Sequence, residues 1–135
     1  MAKQASLFPE YVEKYFGKLI GKITEKFNGE NKKQNLLYKT MLTDLINGLR
    51  SELDAKDVPF IIGQLSTVKP MSKAKRSIDA SHRACAAELQ PAGFVPSSGL
   101  TLNPDNVHFD RKSLIEFGKR YYLVYKEIVS KGAVK

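Results

Sequence analysis

A chain of 135 residues has room for one domain and one sizeable core. Its composition, 42% hydrophobic and 27% charged, suits a folded globular domain and excludes a disordered tail. The formal net charge of +8 is spread over both halves. With no signal-peptide core and no apolar run of spanning length, the expectation is a soluble chain, cytoplasmic by default, with no membrane partner.

The first predicted element is a helix within residues 1–31. Tyr11, Val12, Tyr15, Phe16, Leu19, Ile20, Ile23 and Phe27 recur at the helical period. Pro9 suits a first turn, Glu10 and Glu13 sit where the helix dipole favours acids, and Asn28-Gly29 is a natural stop. A second helix is predicted from Lys32 to Leu53, with Leu36, Leu37, Met41, Leu42, Leu45, Ile46, Leu49 and Leu53 as its stripe. The two could form a hairpin across Asn28–Asn31.

Val58-Pro-Phe-Ile-Ile-Gly63 follows, a short β-branched run with the character of a buried parallel strand, Pro59 fitting only near its start. A third helix is predicted from Lys73 to Leu89, with Ile78, His82, Cys85 and Ala86 on one side. Cys85, the sole cysteine, permits no internal disulfide and reads as a small packing residue. His82 reads as a partly buried polar residue on a helix flank. Lys69, Lys73, Lys75, Arg76 and Arg83 form the densest basic stretch, opposed only by Asp79. Such a patch can attract nucleic acid or another polyanion, but no nucleic-acid fold signature accompanies it, and it reads as a solvated face.

Pro91-Ala-Gly93 ends that helix, and Phe94-Val-Pro96 is a brief strand. A Gly/Pro/Asn/Asp-rich loop then leads to a final helix from Arg111 to Val129, with Asp110 as N-cap and Leu114, Ile115, Tyr121, Tyr122, Tyr125 and Ile128 as its apolar and aromatic face. The order helix, strand, helix, strand, helix from Lys32 onward implies an α/β fold with a parallel sheet. Two strands do not make a stable doubly wound sheet. Either a partner completes it, or the chain is part of a larger domain, or the helices pack another way.

The loop carries the chemistry. It delivers Asp105 and His108 three residues apart. Imidazole is the side chain suited to moving protons near neutral pH, and a neighbouring carboxylate can fix its tautomer. The competing reading is a loop histidine that braces the final helix.

Three blocks in order resemble the C-terminal part of the carbohydrate-esterase branch of the SGNH hydrolases, which includes acetylxylan esterases and the sialate O-acetylesterase domain. Asp57-Val-Pro-Phe-Ile-Ile-Gly-Gln-Leu65 is similar to the family's penultimate strand. Gly99-Leu-Thr-Leu-Asn-Pro-Asp-Asn-Val-His-Phe-Asp110 is similar to its Asp-x-x-His block. Phe117-Gly-Lys-Arg-Tyr121 is similar to the Gly-Arg-Arg-Tyr-like helix that follows.

The resemblance implies a three-layer α/β/α fold, here truncated, helix-rich and with few parallel strands, and serine-dependent removal of O-acetyl groups from sugars. It implies His108 as general base and Asp105 as its carboxylate. Gly29-Glu30-Asn31 resembles a further family block, Gln-Gly-Glu-Ser or Gln-Gly-Glu-Asn. That likeness makes Glu30 a rival to Asp105 and gives Asn31 and Gly29 an oxyanion-site role; the competing reading is that Asn28-Gly29 merely caps a helix. Gly63-Gln64-Leu65-Ser66 resembles the nucleophile block only superficially, with Leu65 in the serine position, so Gln64 stands as a weak binding candidate. The family's Gly-Gln-Ser-Asn-like nucleophile block has no counterpart in this sequence.

Neither a nucleotide-binding glycine motif nor metal-ligand spacing is present, so no cofactor and no metal are expected. One reading of the whole is a single domain, residues 1–135, in which residues 32–135 are the His-bearing portion of an acetylesterase, weak alone and restored by a missing N-terminal portion or a second copy. The other is a basic interaction module derived from that fold, binding an anionic partner or assembling with itself. Acetylated carbohydrate is the substrate expected of the first reading, and nucleic acid is not an expected partner of either.

Overall fold

The computed structural model describes residues 32–68 and 71–132, so the predicted first helix and its hairpin lie outside the described residues. In chain order come α1 (Lys32–Glu52), β1 (Phe60–Gly63), α2 (Lys73–Glu88), β2 (Ala92–Val95) and α3 (Arg111–Gly132). Among the described residues the sheet has two strands, paired in parallel with Phe60 opposite Ala92 and Gly63 opposite Val95. This is the truncated, helix-rich α/β architecture that the element order implies.

Local signals set the boundaries. Beyond α1, Asp54 adopts a left-handed φ of 49° and the Ala55 N–H returns to the Arg50 carbonyl at 2.9 Å, closing the last turn. At the start of α2, the Ser72 hydroxyl accepts the Lys75 N–H at 3.2 Å. Before α3, Asp110 does the same for the Ser113 N–H at 2.8 Å.

The pleat sends alternate strand residues to opposite helical layers. Phe60, Ile62 and Phe94 pack with Leu42 and Ile46 of α1 and with Cys85, Ala86 and Leu89 around α2. Ile61 and Val95 pack on the other side with Leu100, Phe109 and with Phe117, Tyr121 and Val124 of α3. The chain is therefore layered as α1 and α2, then sheet, then α3.

Two strand glycines set the distance of α3. A Cβ at Gly63 would meet the Tyr121 hydroxyl at 2.0 Å and the Phe117 ring at 3.0 Å, while one at Gly93 would meet Val124 Cγ1 at 2.4 Å. Arg50 ties α1 to the start of β2 by donating to the Leu89 carbonyl at 2.8 Å and to the Pro91 carbonyl at 2.5 Å. Because Arg50 lies in the last turn, α1 runs antiparallel to the strands and begins at their C-terminal ends.

Two predicted faces differ from those observed. On α3 the sheet-facing side is Ser113, Phe117, Tyr121, Val124 and Ile128, whereas Leu114, Ile115, Tyr122 and Tyr125 are exposed. The final helix has two apolar stripes, and the sheet covers one. On α1, Leu36 and Leu37 are likewise exposed; at that level Tyr38 and Lys39 face α2, and the apolar contact with the core is made further along, where Leu45 and Ile46 are buried. The second strand also starts earlier than expected, since Ala92 and Gly93 join the ladder.

His82 is more buried than a helix flank implies, at 9% exposure. Its Nε2 lies 2.7 Å from the Tyr38 hydroxyl. Burial lowers the His82 pKa from its ordinary 6.5, with the charge of Asp79 opposing in part, and burial pushes the Tyr38 hydroxyl up to about 12. The sign of the pH effect follows. Below pH 6.5 the unfolded chain takes up a proton that the folded chain resists, so stability falls as pH drops from 6.5 toward the depressed folded value. Urea unfolding midpoints compared at neutral and mildly acidic pH should show this loss, and His82→Gln should flatten the slope across that window. An unchanged slope would remove His82 as its source.

Candidate active site

Ligand sites of open α/β sheets lie beyond the carboxyl ends of the strands. Here the chain leaves β2 at that end and forms two consecutive turns. The first, Ser97–Leu100, closes through Leu100 N–H to the Ser97 carbonyl at 3.1 Å, with Gly99 at a φ of +76° that a side chain would resist. It is held from both sides. Gln64, at the end of β1, accepts the Ser97 N–H at 2.9 Å, and the Ser97 hydroxyl donates to the Leu65 carbonyl at 2.8 Å. Arg120 of α3 donates to the Pro96 and Ser98 carbonyls at 3.0 and 2.9 Å.

The second turn presents the Asp/His pair. Leu102 and Phe109 form an antiparallel bridge, and Asn103 N–H donates to the His108 carbonyl at 2.8 Å. Asn103-Pro-Asp-Asn106 closes on itself through Asn106 N–H to the Asn103 carbonyl at 2.9 Å, with Asn106 left-handed at a φ of 58°. Phe109 is rooted in the α3-side core, its ring 5.2 Å from that of Phe117. Thr101 bonds Asp110 through its hydroxyl and the Ser113 hydroxyl through its N–H, the latter at 2.7 Å. The pair thus stands on a short hairpin whose base is fixed to the core and to the first turn of α3.

Asp105 uses both carboxylate oxygens. Oδ1 accepts the Val107 and His108 N–H groups at 2.9 and 3.0 Å, and Oδ2 lies 2.8 Å from His108 Nδ1. The His108 bond first, and then the two backbone bonds, hold the carboxyl down at about 2. An ionised Oδ2 only accepts, so in the neutral ring it is Nδ1 that carries the proton and Nε2 that has the lone pair. The His108 side chain is 77% exposed, and Nε2 has no partner among the described residues.

Of the residues expected at the site, the structure brings Asp105 and His108 together. Gln64 is buried and braces the first turn. Gly29, Glu30 and Asn31 lie outside the described residues. No serine hydroxyl among the described residues reaches His108. Ser97 and Ser113 are buried in the contacts just given, and the Ser66 hydroxyl accepts the Val68 N–H at 3.3 Å. The basic stretch is partly neutralised: Arg83 pairs with Asp79 at 2.9 Å and lies over the Phe94 ring, and Arg76 bonds the Met71 carbonyl.

Sequence reasoning missed Arg50 and Arg120, both of which bind backbone carbonyls. Arg120 had a signal, since it stands inside Phe117-Gly-Lys-Arg-Tyr121, whose three anchoring residues now have distinct contacts: Phe117 in the core, Arg120 on the loop, Tyr121 on Gly63.

Comparison with known proteins adds one match. The family model described as carbohydrate esterase, sialic acid-specific acetylesterase, matches residues 27–127, which span β1, both turns and most of α3. No curated protein matches the chain. On that match, the chain belongs to the sialic acid-specific acetylesterase family of carbohydrate esterases.

Proposed function

We propose that this chain supplies the base of a serine-dependent acetylesterase acting on O-acetylated sugars, and that the attacking serine comes from another polypeptide segment. The observation that carries the reading is the His108 ring, held by Asp105 at Nδ1 and open at Nε2, at the carboxyl end of the strands. In that role Nε2 takes the proton from a serine hydroxyl as its oxygen bonds the acetyl carbon. The same proton then passes to the departing sugar oxygen, and water repeats the sequence to release acetate. Asp105 holds the tautomer and offsets the imidazolium charge. The site would also need oxyanion donors, a role open to Gly29 and Asn31 near the start of the family match, while Glu30 there rivals Asp105 as the carboxylate partner of His108.

The test is hydrolysis of p-nitrophenyl acetate by the chain alone and with a second segment carrying a Gly-Gln-Ser-Asn block, alongside fluorophosphonate labelling. Weak or no turnover alone, and serine labelling with turnover in the mixture that His108→Ala abolishes, is the expected result. Turnover indifferent to His108 would overturn the reading. No turnover in either case, with salt-sensitive binding to heparin, would instead favour a basic interaction module.

A further inference from the structure

His108 differs from an ordinary surface histidine. Its ring stands open to solvent on a fixed hairpin, and Asp105 Oδ2, 2.8 Å from Nδ1, directs the lone pair of the neutral ring to Nε2. Other nucleophiles are closed off. His82, the second histidine, is buried with Nε2 on the Tyr38 hydroxyl, and Cys85 is fully buried. Ser97 and Ser113 are buried in hydrogen bonds. Among the described residues, the strongest uncharged nucleophile facing solvent is therefore His108 Nε2.

The same hairpin limits what Nε2 can attack. The N–H groups of Asn106, Val107 and His108 are the nearest to the ring in sequence. Asn106 N–H donates to the Asn103 carbonyl, and the other two donate to Asp105 Oδ1. With these donors engaged inside the turn, they do not serve an oxyanion on a group bonded to Nε2. Attack then needs a leaving group that departs readily as an anion, as an aryloxide or a thiolate does.

We propose that the Asp105–His108 pair has a second activity, serine-independent hydrolysis of activated acyl esters, aryl esters and thioesters, through a covalent acyl-His108 intermediate. The Nε2 lone pair bonds the acyl carbon as the C–O or C–S bond breaks and its electron pair leaves with the aryloxide or thiolate. The ring becomes a cation, whose charge Asp105 offsets at Nδ1, and the Nδ1 proton then passes to water. A water oxygen next bonds the acyl carbon. The C–N bond breaks, its electron pair returns to Nε2, and Nδ1 regains a proton. Each turnover converts one ester and one water into a carboxylic acid and a phenol or thiol.

This route uses the ring of the proposed acetylesterase but neither a serine nor a second segment. Sugar acetates lie outside it. An alkoxide leaves only with a proton supplied as its bond breaks, and here the one base at the site is itself the nucleophile. The two activities therefore separate by substrate and by the residue that carries the acyl group.

The test uses the full chain alone with excess p-nitrophenyl acetate, set against N-acetylhistidinamide at the same pH and concentration. The chain should be faster per imidazole by about tenfold, the effect of one charge-assisted hydrogen bond that strengthens as the ring cation forms. His108→Ala should remove that excess, and Asp105→Asn should bring the rate to or below that of the free derivative. Fluorophosphonate treatment and His82→Gln should leave it unchanged. With p-nitrophenyl trimethylacetate, whose hindered acyl group hydrolyses slowly, quenched protein should carry an acyl group on residue 108 that neutral hydroxylamine removes. Acyl-lysine, a side product of such esters, resists hydroxylamine. A rate no greater than that of the free derivative, acyl groups on lysine or serine only, inhibition by fluorophosphonate, or hydrolysis of an acetylated sugar by the chain alone would each overturn the proposal. Its failure leaves the acetylesterase reading intact, because that reading is judged by serine labelling and turnover after the second segment is added.

Discussion

Gly63→Ala is expected to lower the unfolding free energy by about 2–3 kcal/mol, the upper part of the range for overpacking a fitted contact. A Cβ there would sit 2.0 Å from the Tyr121 hydroxyl, 2.9 Å from Tyr121 Cζ and 3.0 Å from Phe117 Cζ. Both obstacles are aromatic rings anchored in the α3-side core, so neither can swing aside without moving α3. At Gly93 the obstacles are the ends of Val124 and Ile128, which rotate more cheaply, so Gly93→Ala should cost less. Tyr121→Phe removes the closest atom but leaves the ring carbon at 2.9 Å, so it should recover part of the loss at residue 63 and none at residue 93. Equilibrium urea unfolding of the three single variants and the two double variants measures each term. Equal costs at the two glycines, or no coupling between residues 63 and 121, would show that Tyr121 does not set the spacing.

The same contact explains how far the sequence could be read. The first strand was legible because Phe-Ile-Ile-Gly is short, apolar and bounded by turn residues, whereas only Phe94 and Val95 of the second were read, Ala92-Gly93 having the look of a helix stop; periodicity with end signals located the three described helices. The orientation of α3 was not legible. Its sequence is apolar on two adjacent sides, and periodicity weighs Leu114, Ile115, Tyr122 and Tyr125 as heavily as Phe117, Val124 and Ile128. Only the glycines opposite decide which side packs, and a glycine in a strand announces close approach without naming its partner. At the site, the Asp-x-x-His spacing carried the pair because both residues belong to one hairpin turn, where sequence distance nearly fixes spatial distance. The bracing of the first turn by Gln64 was not legible for the opposite reason: its partner, Ser97, lies 33 residues away. Arg50 and Arg120 act on carbonyl groups, which leave no trace in side-chain patterns.

These contacts also bear on the choice between an esterase portion and a charged binding module. A solvated basic face offers its cations free. Here Arg83 is engaged by Asp79 and Phe94, Arg120 by Glu116 and two carbonyls, and Arg50 by two carbonyls. These three arginines make contacts within the fold, whereas the loop's bonds present one imidazole. A His that only braced α3 would need neither an exposed ring nor a carboxylate bound at Nδ1; Asp110, Thr101 and Ser113 already perform that bracing.

Asp105 therefore offers the sharpest separation of roles. Asp105→Asn keeps an oxygen to accept the Val107 and His108 N–H groups, so the turn should persist. Its amide would present N–H groups to Nδ1, which drives the imidazole proton to Nε2 and removes the lone pair the base needs. In a reconstituted esterase the rate should fall by roughly 10²–10⁴, the upper end being the loss seen when a triad carboxylate becomes an amide in a serine protease. His108→Ala should cost as much, and the double variant little more, because the two residues act as a unit. Nitrogen NMR of the ring supplies a readout that needs no substrate: Nδ1 protonated in the parent at neutral pH, Nε2 protonated in Asp105→Asn. With the carboxyl held at about 2, Asp105 stays ionised at every pH where ester hydrolysis is measured, so its protonation should leave no step in the rate profile. A parent ring already protonated at Nε2, or a rate unmoved by Asp105→Asn, would show that the carboxylate fixes the shape of the turn and nothing about the chemistry of His108.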